Sequence, residues 1–214
     1  MILQIALGLW MSAVIVATFL WLPPGNPQLG WLSPDGVRII IFHVPNAMIA
    51  VVAFLVSTVY AVKYLSGHKL MDDAKSAVSA ELGLMFTLLA TITGAVFAKV
   101  EWGVAWNWDP RETTILILLL IYAAYFALRS ATEGADRRAT LASAYAIIAF
   151  ATVPFLVFIL PRLSDQSLHP KQAGLDSQYR MVLGAAMVGF LGLYLWLFRL
   201  GAALAELRLR KKGV

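Results

Sequence analysis

Six long, uncharged apolar segments constrain this 214-residue chain more than any other feature. They cover residues 2–22, 39–62, 82–98, 113–128, 139–161 and 181–198. A helix that crosses a bilayer needs about 20 such residues, so segment 82–98 is near the lower limit and segment 113–128 is short. The helix of segment 113–128 is therefore expected to begin earlier, at Pro110. Charged residues make up 14% of the chain, against about 25% in soluble domains. The sequence predicts an all-α polytopic membrane protein with six transmembrane helices in a single domain, 1–214.

The first segment is expected to be a retained helix, because no basic residue precedes it and Pro23 and Pro24 end it. The chain contains no cysteine. Disulfides, thiolate metal sites and cysteine nucleophiles are therefore excluded. A P-loop of the form GxxxxGK[ST] is also absent, so the sequence offers no nucleotide-binding motif.

Basic residues predict how the chain is oriented in the membrane. One set of loops and helix ends has eleven: Lys63, Lys69, Lys75, Arg129, Arg137, Arg138, Arg199, Arg208, Arg210, Lys211 and Lys212. The opposite set has six: Arg38, Lys99, Arg111, Arg162, Lys171 and Arg180. The richer side is expected to be cytoplasmic, and with six crossings both termini lie there. The outer loops are then the first outer loop (23–38), the Trp-rich loop (99–112) and the third outer loop (161–180). Positive-inside bias and anionic lipid explain the pI of 9.6 without nucleic acid.

Two of the three histidines lie on the predicted outer side. His43 is near the outer end of the second helix and His169 lies in the third outer loop, whereas His68 is in a cytoplasmic loop. A lone histidine at a helix end is usually structural, but two on one face suggest a metal site. Two imidazoles poorly fill a tetrahedral zinc site. They do fit the two axial positions of a haem iron, whose porphyrin supplies the other four ligands.

The Trp-rich loop contains the run WGVAWNWDPRE, which starts at residue 102. Three tryptophans within seven positions suit either a planar ligand or a belt that anchors helix ends at the interface. Asp109 with Pro110 and Glu112 reads as a helix start with a capping box. Arg38 and Arg111 could extend to lipid head groups or pair with carboxylates such as haem propionates.

The motif resembles the WGxxWxWD signature of the haem-handling proteins of cytochrome c maturation. Length, helix number and the two flanking histidine-bearing regions are similar to the CcmC family of system I. The resemblance implies axial haem ligation by His43 and His169 and a porphyrin site that includes the motif and two arginines. The motif and arginine positions are Trp102, Gly103, Trp106, Trp108, Asp109, Arg38 and Arg111. Ala105 stands where many C-type members have tryptophan, and residues 109–112 are also reminiscent of the longer system II proteins.

The resemblance implies haem delivery and not enzymatic catalysis. Haem b would be held non-covalently at the periplasmic face of a bacterial cytoplasmic membrane and passed to a membrane-anchored haem chaperone. The expected neighbours are ATP-driven (ABC) transporter subunits, a small single-helix protein and membrane lipid. Two other functions stay open on the residues alone. One is a haem-containing membrane electron-transfer subunit, and the other is a non-haem transporter or structural subunit with an interfacial Trp belt.

Overall fold

The computed structural model describes residues 2–163, 167–169 and 174–211. Six helices are long and apolar enough to cross a membrane: α1 (Ile2–Trp21), α2 (Gly36–Gly67), α3 (Leu70–Trp102), α4 (Pro110–Ala131), α5 (Ala135–Leu163) and α6 (Ser177–Lys211). The described residues contain no strand. The predicted all-α class and the six spans are therefore confirmed, whereas the side on which the termini lie stays a prediction. Lys171 and Lys212, which entered the charge count, lie outside the described residues.

Helix α4 begins at Pro110, as its short apolar segment predicted. Helix α3 is much longer than its apolar segment, because it starts at Leu70 and includes a polar first part. That part is compatible with a packed helix because its buried charge, Asp73, is paired. Asp73 is buried there and accepts two hydrogen bonds from the Arg129 guanidinium on α4.

Small side chains let the central helices approach closely. Helix α2 packs along α3 and also contacts α5 and α6. At the α2–α3 contact the Phe54 ring lies against Gly83, where any Cβ would clash with it. The ring of Tyr122 on α4 stacks on the Phe54 ring, with 3.5 Å between the ring centroids. Helix α1 is peripheral, because only 11% of its most apolar 18-residue stretch is buried inside the bundle. It contacts α6.

The first outer loop is held down by buried polar contacts. The Glu101 carboxylate, near the end of α3, accepts hydrogen bonds from the backbone amides of Leu32 (2.9 Å) and Ser33 (3.2 Å). The Trp31 indole N–H donates to the carbonyl of Gly174, 2.8 Å away, and so joins the first and third outer loops. These contacts place the outer loops together at one end of the bundle.

Candidate functional site

A cavity lies between α2, α3, α4 and α5 at the end that carries the outer loops. Its empty volume is about 710 Å³, counting the part that opens to the surroundings. His43, His169, Trp106 and Arg111 all line this cavity. Residues from three separate parts of the chain, all predicted from the sequence, therefore meet in one place.

His43 projects from the first turns of α2 toward α3. Its Nδ1 lies 3.0 Å from the Ala90 carbonyl oxygen and 3.3 Å from the Thr93 hydroxyl. A carbonyl oxygen only accepts, so Nδ1 carries the proton and Nε2 keeps a free lone pair. The ring packs over Gly94, where an added Cβ would lie 2.9 Å from the His43 Cε1. Helix α3 thus sets both the tautomer and the ring position of His43.

His169 is held from the opposite side by the Trp-rich loop. Its Nδ1 lies 3.2 Å from Asp109 Oδ1, and its ring lies edge-on to the Trp102 ring with centroids 4.9 Å apart. Burial lowers the pKa of His169 to about 4, because the neighbouring Asp109 carboxylate only partly offsets the loss of solvation. The imidazole is therefore neutral near pH 7, as a metal ligand must be.

Asp109 begins α4 in the predicted capping box. Its carboxylate accepts from the Arg111 backbone amide, and the Glu112 carboxylate accepts from the Asp109 amide at 3.2 Å. The Asp109 side chain is fully buried and does not line the cavity. Burial by itself raises the pKa of Asp109, but hydrogen bonds from the amides of Arg111 and Leu168 hold that pKa below its ordinary value.

The three motif tryptophans have different surroundings. Trp102 ends α3, where Gly103 turns the chain with φ of 81°, and packs between Phe97 and His169. Trp106 lines the cavity. Trp108 has a φ of 61° and is 67% exposed, with its ring edge-on to Trp106 at 5.8 Å. One indole thus supports a histidine, one faces the cavity and one faces outward.

The two predicted arginines also differ. The buried Nε of each arginine has no hydrogen-bond acceptor among the described residues, but of the two only Arg111 lines the cavity. Arg38 does not line the cavity. Its guanidinium donates to Asp35 (2.6 Å) and to the Leu22 carbonyl (3.1 Å), which ties the start of α2 to the end of α1. A role for Arg38 in binding a propionate stays a prediction.

A model of the CcmC family, described as heme exporter protein C, matches residues 2–211. The chain belongs to the CcmC family. It is 33% identical over 179 residues to heme exporter protein C of Paracoccus denitrificans, which covers 78% of this chain and 74% of that protein. It is 30% identical over 157 residues to heme exporter protein C of Bradyrhizobium diazoefficiens, covering 73% of this chain and 55% of the relative. A putative cytochrome c biosynthesis ccmC-like mitochondrial protein of Marchantia polymorpha is 31% identical over 157 residues, covering 72% and 64%.

In this CcmC-family chain, several cavity residues were not predicted from the sequence. Gly94 and Thr91 of α3 and Thr114 of α4 line the cavity, as do Leu156 and Val157. The last two belong to a π-helical turn, Phe155–Ile159, that follows Pro154. Such turns often occur at functional sites. The sequence signal for this turn was Pro154 inside the apolar segment 139–161. That signal does not indicate which face of α5 meets the cavity.

Proposed function

We propose that this protein binds haem at the outer face of the cytoplasmic membrane and delivers it to a membrane-anchored haem chaperone during cytochrome c maturation. Membership of the CcmC family, whose members carry the name heme exporter protein C, supports haem as the cargo. The observation that carries the proposal is that His43 and His169 line one cavity and both use Nδ1 for a protein contact. Each Nε2 is thus left to bind a metal.

The residues present fit haem better than a bare metal ion. Among the described residues, no three His, Asp or Glu side chains converge as a metal site. A ligand pair of imidazoles therefore needs a metal that brings its other donors, and bound haem supplies an iron with two open axial positions. The unpaired Nε of Arg111 is a buried donor suited to a carboxylate such as a propionate. Trp106 adds an aromatic wall to the same cavity.

The arrangement also suits release of the cargo. His43 lies on a long helix, whereas His169 lies outside the helices, between α5 and α6. The outward-facing Trp108 ring offers a partner an apolar contact beside the cavity. The assignment is therefore haem delivery and not enzymatic catalysis. Its partners are the haem chaperone and, within the same system, ATP-driven transporter subunits and a small single-helix protein.

Absorption spectra of the purified protein with added haem test the ligands. The wild type should give a low-spin bis-imidazole spectrum, and His43→Ala or His169→Ala should each alter or weaken it. His68→Asn is the matched control, because His68 ends α2 with a φ of 51° that asparagine tolerates. A spectrum like that of the wild type in the double variant His43→Ala/His169→Ala would refute the ligand assignment.

Delivery needs a separate measurement. Haem-loaded protein mixed with the periplasmic haem chaperone should lose haem to it, and the two should co-purify from the native membrane. Haem that stays on this protein while it exchanges electrons with a quinone would instead identify a membrane electron-transfer subunit.

A further inference from the structure

We infer that Asp109 is a positioning residue that fixes the tautomer of His169 and holds residues 167–169 of the third outer loop against the Trp-rich loop. This inference rests on the proposed function only where it concerns haem. The tautomer of His169 and its contact with Asp109 concern the protein without haem. It differs from the motif-based expectation that Asp109 contacts haem, because the Asp109 side chain is fully buried and does not line the cavity.

Four donors converge on the Asp109 carboxylate. Oδ1 accepts from the Arg111 amide (2.8 Å), the Ser167 hydroxyl (3.1 Å) and His169 Nδ1 (3.2 Å). Oδ2 accepts from the Leu168 amide at 2.7 Å. Each carboxylate oxygen has about two acceptor positions, and the Arg111 amide and the Ser167 hydroxyl already take both positions of Oδ1. No position is left for a proton on Oδ1, the oxygen that faces His169, so Asp109 cannot donate to His169 there.

The tautomer of His169 follows from this count. Since Asp109 only accepts at this contact, His169 Nδ1 must carry the proton and its Nε2 must keep the lone pair. A carboxylate behind a ligating imidazole also raises the basicity of that ligand. His43 differs in this respect, because its Nδ1 faces a neutral backbone carbonyl, that of Ala90. The two histidines are therefore unequal, and His169 is the stronger electron donor of the pair.

The same carboxylate joins two loops that are far apart in the chain. Through the Arg111 amide it belongs to the start of α4, and through Ser167 and Leu168 it holds the third outer loop. Correct folding of the α4 cap thus brings His169 to the cavity.

Substitution by serine gives a sharper test than substitution by asparagine, because an asparagine amide can take two orientations. If the asparagine amide group replaces Oδ1, its N–H₂ faces the Arg111 amide and His169 Nδ1, and His169 must accept at Nδ1 and move its proton to Nε2. If the amide group replaces Oδ2, it faces the Leu168 amide and two donors oppose each other. Asp109→Ser removes the contact with His169 but keeps a good N-cap for α4. It therefore separates positioning of the histidine from capping of the helix.

The first measurement uses apoprotein with ¹⁵N-labelled histidine in a His68→Asn background, which leaves two histidines. We expect both imidazoles to carry the proton on Nδ1. Asp109→Ser should shift His169 toward the Nε2–H tautomer and leave His43 unchanged. Asp136→Ser is the matched control, since Asp136 lies in the first turn of α5 and contacts neither histidine through its carboxylate. An unchanged His169 tautomer in Asp109→Ser would overturn the inference.

The second measurement uses haem-loaded protein. Asp109→Ser should bind haem roughly 10- to 100-fold more weakly, the range found for loss of a partner behind a metal ligand. The haem that remains should have a more positive midpoint potential than in the wild type, because a weaker imidazole donor stabilises ferric iron less. A potential equal to that of the wild type would refute the electronic role. If the wild type binds no haem, the proposed function fails, while the apoprotein tautomer still decides the position of His169.

Discussion

The position of the His43 ring depends on a missing side chain of the neighbouring helix. The ring lies over Gly94 in α3, and an added Cβ would be 2.9 Å from its Cε1 and 3.3 Å from its Nδ1. Glycine inside a helix costs up to about 1 kcal/mol relative to alanine. A glycine at this position is therefore explained by the space the His43 ring needs and not by helix propensity.

Gly94→Ala should weaken haem binding without lowering the amount of protein in the membrane. Forcing a methyl group into a packed site costs about 1–3 kcal/mol. As a loss of haem affinity, that range corresponds to roughly 5- to 160-fold. The haem-to-protein ratio measures the effect. Gly184→Ala is the control, since a Cβ there meets nothing within 4 Å. Equal ratios in the two variants would contradict the packing argument.

Trp106 and Trp108 should differ when each is replaced by alanine. Trp106 lines the cavity, so Trp106→Ala should lower the haem-to-protein ratio and Trp106→Phe should lower it less, because an aromatic contact contributes about 0.5–1.5 kcal/mol beyond burial. The exposed Trp108 should affect transfer to the chaperone more than retention. If these tryptophans only anchor helix ends, alanine should instead reduce membrane abundance and leave the ratio unchanged.

At the scale of elements, α3 and α4 form the pair that presents the Trp-rich loop. The loop joins them at the outer end, and a buried ion pair joins them near the other end. There Arg129 Nη1 and Nη2 lie 2.6 and 3.0 Å from the two carboxylate oxygens of Asp73. The Trp-rich loop thus connects two helices that are also joined at their far ends by the Asp73–Arg129 ion pair.

Arg129→Ala should destabilise the bundle by about 3–5 kcal/mol, because it leaves the buried Asp73 carboxylate without its partner. The thermal midpoint in detergent measures the loss. Replacing both residues, as Asp73→Leu/Arg129→Leu, should recover most of it, since a buried apolar pair carries no unpaired charge. Arg210→Ala breaks an exposed pair with Glu206 and should change little. A double variant no more stable than Arg129→Ala would contradict this explanation.

At the scale of the whole molecule, the bundle gathers the outer loops at one end. Trp31 with Gly174 and Asp109 with His169 connect loops that are 143 and 60 residues apart in the chain. Helix α1 stays at the edge, where side chains such as Leu3, Leu9 and Leu20 are exposed and suited to lipid or a partner helix. The cavity therefore lies at the end of the bundle that carries the outer loops.

The topology prediction can be checked on the native chain, since it has no cysteine. Single substitutions Gln28→Cys and Ala105→Cys should label with a membrane-impermeant maleimide in intact cells, because the count of eleven to six basic residues places their loops outside. Glu133→Cys, in the connection between α4 and α5, should label only after the membrane is opened. The reverse pattern would invert the orientation.

The sequence by itself determined the features that depend on neighbouring residues. Hydropathy alone predicted six spanning helices, because each span must satisfy its own backbone within one segment. The start of α4 at Pro110 and the capping box of Asp109 were predictable for the same reason, since a cap involves residues two or three positions apart. The two outer histidines were predicted as candidates by their residue type and by the side of the membrane assigned to them.

Only the tertiary structure decided how those candidates are used. The chain pattern did not show that Gly94 makes room for His43, that Asp109 lies behind His169, or that Trp106 faces the cavity while Trp108 faces outward. It also did not separate Arg111, which lines the cavity, from Arg38, which pairs with Asp35. The contacts of His43 with Gly94 and of Asp109 with His169 depend on how helices and loops pack whose contacting residues are about 50 to 60 positions apart. No local pattern encodes that packing, because it is a sum over many contacts between distant segments.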